Sequence, residues 1–106
     1  MTRTAAWKEH ERRTARRLSG QRSPNTGKQT ADVTAGPWAV ECKLRKELPA
    51  WLLDAMTQAK RNAGSGQTGL VVLHQVGQRS DKDIVCMSLA DFTSWAGGIN
   101  AEPTGE

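Results

Sequence analysis

Apolar positions near the start of the chain recur at helical spacing. Trp7, Ala15 and Leu18 fall on one stripe, and the pattern predicts a helix from about Ala5 to Ser19, stopped at Gly20 in a left-handed cap. Glu11 lies on the same stripe, four residues after Trp7 and four before Ala15. A carboxylate on a core-facing side costs free energy unless it is paired or ligating. From 21 to 31 the apolar pattern lapses: turn formers, hydroxyls and two cations predict a loop that is mobile in the free protein.

A period of two follows. A short strand near Ala31–Thr34, a turn at Ala35-Gly36-Pro37 and a strand Trp38–Lys43 predict a hairpin. In its second strand Trp38, Val40 and Cys42 share one face, and Ala39, Glu41 and Lys43 the other. Helical spacing returns at Pro49, which suits a first helical turn, and runs to about Ala63. Trp51, Leu52, Ala55, Met56 and Ala59 give this helix an apolar side, with Gln58 on its border and able to point toward the sheet. The unbroken run Leu70–Leu73 predicts a strand covered on both faces. Another strand, Ile84–Met87, follows a charged turn at Ser80–Asp83. Ser88 with Asp91 resembles the cap of a last helix reaching Trp95. The order α-β-β-α-β-β-α implies an α/β fold with a mixed central sheet flanked by helices. Residues 1–96 are expected to form one domain and 97–106 a disordered tail.

Composition narrows the class. No run of about 18 apolar residues occurs among the 106, so no membrane span is expected. The first residues lack the apolar stretch and cleavage site of a secretory signal. Cys42 and Cys86 are too few for a disulfide scaffold and lack zinc-ligand spacing. A reduced, cytoplasmic protein is the expectation. The net charge of +4 is unevenly placed: residues 1–46 hold 11 Lys/Arg against 4 Asp/Glu, and residues 47–106 hold 4 against 7. The first half attracts polyanions, nucleic acid foremost, although a solvated basic helix without a partner has the same composition.

The chemistry concentrates in the hairpin. Glu41 and Lys43 project from the same side of one strand, about 6–7 Å apart along it, and Asp32 can face them from the neighbouring strand. Two carboxylates held close disfavour each other's ionisation. A divalent cation removes that conflict, and Mg²⁺ is satisfied by one or two carboxylates, waters and a phosphate oxygen. The Cys42 backbone carbonyl is a further candidate ligand, and Lys43 would stabilise charge developing on a phosphate. Taken alone, Glu-x-Lys on a strand is more often an exposed ion pair. His10 and His74 are set aside as general bases. Cys42 reads as a small buried hydrophobe, and the four tryptophans as packing residues.

Taken together, these motifs resemble the PD-(D/E)xK nuclease superfamily, and within it Holliday junction resolvases of archaeal and phage type. The resemblance spans roughly residues 7–95. Trp7-Lys8-x-x-Glu11-Arg12-x-x-Ala15 looks like that family's opening helix, and Arg22-Ser23-Pro24-Asn25-Thr26-Gly27 like its Arg-x-Pro-x-Ser-Gly loop. Ala31-Asp32 stands where the family has Pro-Asp, Glu41-Cys42-Lys43 fits Glu-x-Lys, and Leu48–Leu52 with Gln58-Ala59 looks like its post-motif helix. Thr26 replaces a serine and Ala31 a proline.

The resemblance implies a restriction-endonuclease-like fold and a Mg²⁺-dependent endonuclease, Mn²⁺ substituting, that cuts four-way DNA junctions to leave 5′-phosphate ends. Asp32 and Glu41 would hold the metal with the Cys42 carbonyl, and Glu11 would help directly or through water. Lys43, Thr26 and Gln58 complete the implied catalytic set, Gln58 through a water at the metal. Arg12, Arg13, Arg16, Arg22 and Lys28 are candidates for phosphate contacts. A two-fold symmetric junction calls for a homodimer, with Leu70–Leu73 and Leu89–Trp95 as candidate surfaces, acting in the cytoplasm of the host cell if phage-encoded. Two alternatives remain open: a less selective nicking, flap or branched-DNA nuclease, and a non-catalytic DNA-binding module.

Overall fold

The computed structural model describes residues 3–23 and 30–100. Three helices and two small antiparallel sheets make a mixed α/β chain: α1 (Arg3–Arg17), β1 (Gln21–Arg22), β2 (Val33–Ala35), β3 (Trp38–Val40), α2 (Ala50–Asn62), β4 (Val71–Leu73), β5 (Ile84–Cys86) and α3 (Leu89–Asn100). Contacts gather into two units, one made of the first 46 residues with the chain from Gly97, the other Glu47–Ala96. No helix among the described residues is long and apolar enough to cross a membrane.

In the first unit α1 ends two residues before the expected Ser19. Ser19, not Gly20, takes the left-handed conformation, with φ 54°. Its amide donates to the Arg16 carbonyl at 3.2 Å, and the Gly20 amide donates to the Ala15 carbonyl at 2.8 Å. That pair of bonds is a Schellman cap, with Ser19 in the position glycine usually fills. Gly20 serves another need. A Cβ there would collide with the Thr34 carbonyl oxygen and lie 2.6 Å from the Ala35 Cβ, so glycine lets the helix end touch β2.

The expected loop is ordered at its start. Gln21 pairs with Thr34 and Arg22 with Val33, so β1 adds a strand the sequence did not reveal, and the Ser23 amide donates to the Asp32 carbonyl at 2.9 Å. The sheet order is β1-β2-β3. Pairing of Ala35 with Trp38 leaves Gly36-Pro37 as a two-residue turn, and Gly36 takes the positive φ, 55°, that its first position requires. α1 packs on β1 and β2. The core between them is small: Ala15, Val33 and Ala35 are buried.

In the second unit Pro49 and Ala63 bound α2 as expected. Leu52, Ala55, Met56 and Ala59 form its half-buried stripe, whereas Trp51 lies outside the stripe and is exposed. Strand β4 packs against α2 and pairs with β5, Val72 opposite Val85. Both valines are exposed, so β4 is covered on one face, not two. The physical reason is the sheet's size. The described strands form two separate antiparallel sheets rather than one mixed sheet, and a two-stranded ribbon has one face left over. The Asp91 amide donates to Ser88 Oγ at 3.1 Å, the expected cap. The last helix runs beyond Trp95 to Asn100, so Gly97–Asn100 is helical where a disordered tail was expected. The rest of that tail lies outside the described residues.

Two neighbouring substitutions test the helix end. Ser19→Gly should raise stability by about 1 kcal/mol, because it removes a left-handed non-glycine residue. Gly20→Ala should lower it by about 2 kcal/mol or more through overpacking against backbone. Urea denaturation of both variants checks the opposite signs.

Candidate active site

The hairpin turn sets the site. Because Val33 pairs with Val40, the same register carried one residue further sets Asp32 opposite Glu41. The strand ladder stops at Val40, but the alternation of exposed and half-buried residues continues through Lys43. Asp32 Oδ2 accepts a hydrogen bond from the Cys42 amide at 2.7 Å, which ties the segment after β3 to the one before β2. A charge-assisted bond of this length is worth about 1.5–3 kcal/mol when partly buried.

Glu11, Asp32, Glu41, Cys42 and Lys43 line one cleft of about 250 Å³, together with Trp7, His10, Leu44 and Arg45. Asp32, Glu41 and Lys43 thus border a common space, and Trp7, His10 and Glu11 of α1 line it as well. Burial pushes the Cys42 thiol above its ordinary value; the Thr14 hydroxyl works the other way, and Asp32, Glu11 and Glu41 add their negative charge to the rise. Three carboxylates thus act on one sulfur.

Glu11 is buried, and its placement is explained by pairing. Arg22 Nε donates to Glu11 Oε1 at 2.7 Å, with side-chain exposures of 25% and 10%. Arg22, expected to face phosphate, is held instead by this carboxylate. Arg12, Arg13 and Arg16, also expected at phosphates, lie on the exposed face of α1. Arg16 donates to Glu9 at 3.0 Å, Arg12 stands 3.8 Å from the same carboxylate, and an Arg13 nitrogen lies 3.4 Å from His10 Nδ1. The Arg16 hydrogen bond holds the Glu9 carboxyl below its ordinary range. Exposed pairs of this kind are weak, so the guanidiniums can be recruited by a stronger anion. Thr26 and Lys28 lie outside the described residues. Gln58 is exposed on α2, in the second unit, flanked by half-buried Ala55 and Ala59.

Among the described residues no three His, Cys, Asp or Glu side chains are gathered as a group able to hold a metal ion. The donor chemistry of the cleft is nonetheless hard oxygen, and Mg²⁺ needs no more than one or two protein carboxylates when substrate phosphate completes its shell. Asp32 and Glu41 fit that requirement; Glu11, engaged by Arg22, fits it less well. Sequence reasoning missed His10, Leu44 and Arg45 as cleft residues. His10 follows Trp7 by three, a spacing that puts the two on one side of a helix. No family model, curated protein or solved structure matches the chain.

Removing Arg22 leaves a buried carboxylate without its cation. Arg22→Ala should cost about 2 kcal/mol, and adding Glu11→Ala should recover part of that loss. A double-mutant cycle in urea measures the coupling. The folded chain also keeps the Cys42 proton to higher pH than the unfolded chain. Its contribution to stability is therefore full below the ordinary thiol value, and is lost as pH climbs from that value through the raised one. In a Cys86→Ser background, stability followed across the alkaline range should show this fall, and Cys42→Ser should remove it.

Proposed function

We propose that the chain is a Mg²⁺-dependent endonuclease of restriction-endonuclease-like fold that resolves four-way DNA junctions, with Mn²⁺ able to substitute. The observation that carries this reading is the single cleft lined by Asp32, Glu41 and Lys43. A pure DNA binder gains nothing from carboxylates facing phosphate, whereas a hydrolase needs them. The basic face of α1, with Arg12, Arg13 and Arg16 exposed, supports recognition through phosphates rather than base edges.

In this reading Asp32 and Glu41 hold the metal, with the Cys42 carbonyl as a further oxygen donor. A bound Mg²⁺ supplies Lewis-acid stabilisation of phosphoryl charge and lowers the pKa of water. The hydrogen bond from the Cys42 amide keeps Asp32 in place with its second oxygen available for ligation. Lys43 stabilises negative charge on the non-bridging phosphate oxygens as water adds to phosphorus. The P–O3′ bond then breaks, the 3′-oxygen takes up a proton, and the products are a 5′-phosphate and a 3′-hydroxyl. Glu11 acts by fixing Arg22, with any direct role secondary to that pairing.

Junction symmetry asks for two such sites, hence a homodimer. The exposed apolar side chains Val72, Ile84, Val85 and Trp95 on β4, β5 and α3 support a second copy as their cover. One competing reading is a DNA-binding module without catalysis, which the exposed arginines of α1 would serve equally well.

Incubating a labelled immobile junction, a flap and a linear duplex with Mg²⁺ separates these readings. Wild type should cut the junction in preference, and Asp32→Asn or Glu41→Gln should lower the rate about 100-fold or more while DNA binding persists. Equal cutting of linear duplex means a less selective nuclease; no cutting by wild type means the binding module.

A further inference from the structure

A second cleft opens beside the acidic one. It has a volume of about 620 Å³ and is lined by Trp7, Leu44, Arg45 and Lys46. Trp7, Leu44 and Arg45 line both clefts, so the two adjoin. Trp7 is 42% exposed and Leu44 43%, so both present apolar surface to solvent, Trp7 at a position the sequence pattern reads as packing. The Arg45 guanidinium donates to the Leu44 carbonyl at 3.0 Å, which keeps its charge beside that apolar surface. Lys46 brings a second cation one residue on.

We propose that this cleft is a nucleotide subsite, in which the Trp7 indole stacks an unpaired base and Arg45 and Lys46 hold the adjoining phosphates. The inference rests on the endonuclease reading and extends it: the preferred substrate carries an unstacked nucleotide next to the phosphate in the acidic cleft. The chemistry matches piece by piece. A flat apolar face meets a base, which is flat and has a π-face whatever its identity, and two cations meet the backbone charge. A duplex keeps its bases inside the stack and offers nothing to such a face, while a branch point or single-stranded end does. The lining shared with the acidic cleft decides for a nucleic-acid strand, because one strand could reach from the cations to the carboxylates. Stacking on Trp7 tolerates any base, so the subsite selects for strand structure and leaves sequence unread.

Binding without divalent ions tests this apart from cleavage. The probes are a labelled oligothymidylate and the same backbone with every base replaced by an abasic residue, followed by fluorescence anisotropy in EDTA. Wild type should bind the base-bearing strand roughly 5- to 150-fold more tightly, the range that stacking of one base supplies. Trp7→Phe should keep most of that preference, and Trp7→Leu, which retains apolar bulk but has no ring, should lose it. Equal affinity of wild type for the two strands overturns the subsite, as does an unchanged preference in Trp7→Leu. The wild-type comparison requires no variant to fold. A chain that cuts no DNA yet prefers base-bearing strands sinks the nuclease reading and keeps the subsite; one that cuts junctions without the preference does the reverse.

Discussion

The site depends on one hydrogen bond, from the Cys42 amide to the Asp32 carboxylate. Strands β2 and β3 are only three residues each, and their ladder ends at the pair Val33 and Val40. Beyond that pair nothing in the sheet holds the two chain segments together, and two carboxylates opposite each other would drive them apart. The amide donor prevents this. It draws one oxygen of Asp32 into a partly buried bond, spreads part of its charge onto the backbone, and satisfies a main-chain donor that has left the sheet. The Gly36-Pro37 turn makes the arrangement exact in register, since any longer turn would set Asp32 against a different neighbour.

Buried charge imposes a second constraint on the same unit. The core is made of small residues, with Ala15, Val33 and Ala35 at its centre, so the helix lies close to the sheet and Gly20 is needed at the point of contact. Such a core has little room to move a charged group out to water. Glu11 is caught on its inner stripe, and Arg22 reaches it from β1 to pair with its carboxylate. One cation of the basic half is thereby spent on structure. The arginines on the outer face of α1 are tied by exposed contacts alone, and solvent screens those.

Much of this was legible from local pattern. The Pro49 start of α2 and the alternation from Trp38 to Lys43 follow from residues adjacent in sequence and stand where the pattern put them; the hairpin is there too, its turn one residue tighter than expected because Ala35 pairs with Trp38. The features that were not legible depend on partners elsewhere. Gln21 and Arg22 carry no apolar signal, and they form a strand because Thr34 and Val33 offer an edge. Arg22 reads as a solvated loop cation until a helix stripe eleven residues earlier is seen to hold an unpaired carboxylate. Leu70–Leu73 reads as a doubly covered strand because sequence shows the apolar run and not how few strands surround it. The left-handed Ser19 has the same origin. Gly20 is the better left-handed residue, but contact with β2 claims it, and the strain moves one position back.

The segment after β3 turns these constraints into a gradient of charge. Glu41 is followed by Lys43, Arg45 and Lys46, so within six residues the chain passes from anion to three cations. It is anchored at its start by the bond to Asp32, and its later residues line both clefts. A phosphodiester strand approaching two carboxylates alone would be repelled; under the proposed function the same strand approaching them past three cations would be drawn in, and repelled only where its phosphate reached the carboxylates. That residual repulsion is what a divalent cation would relieve. Affinity would then come from the cationic end and chemistry from the acidic end, and a bound strand would be held in one direction along the segment, because reversing it would exchange the attracting and repelling ends.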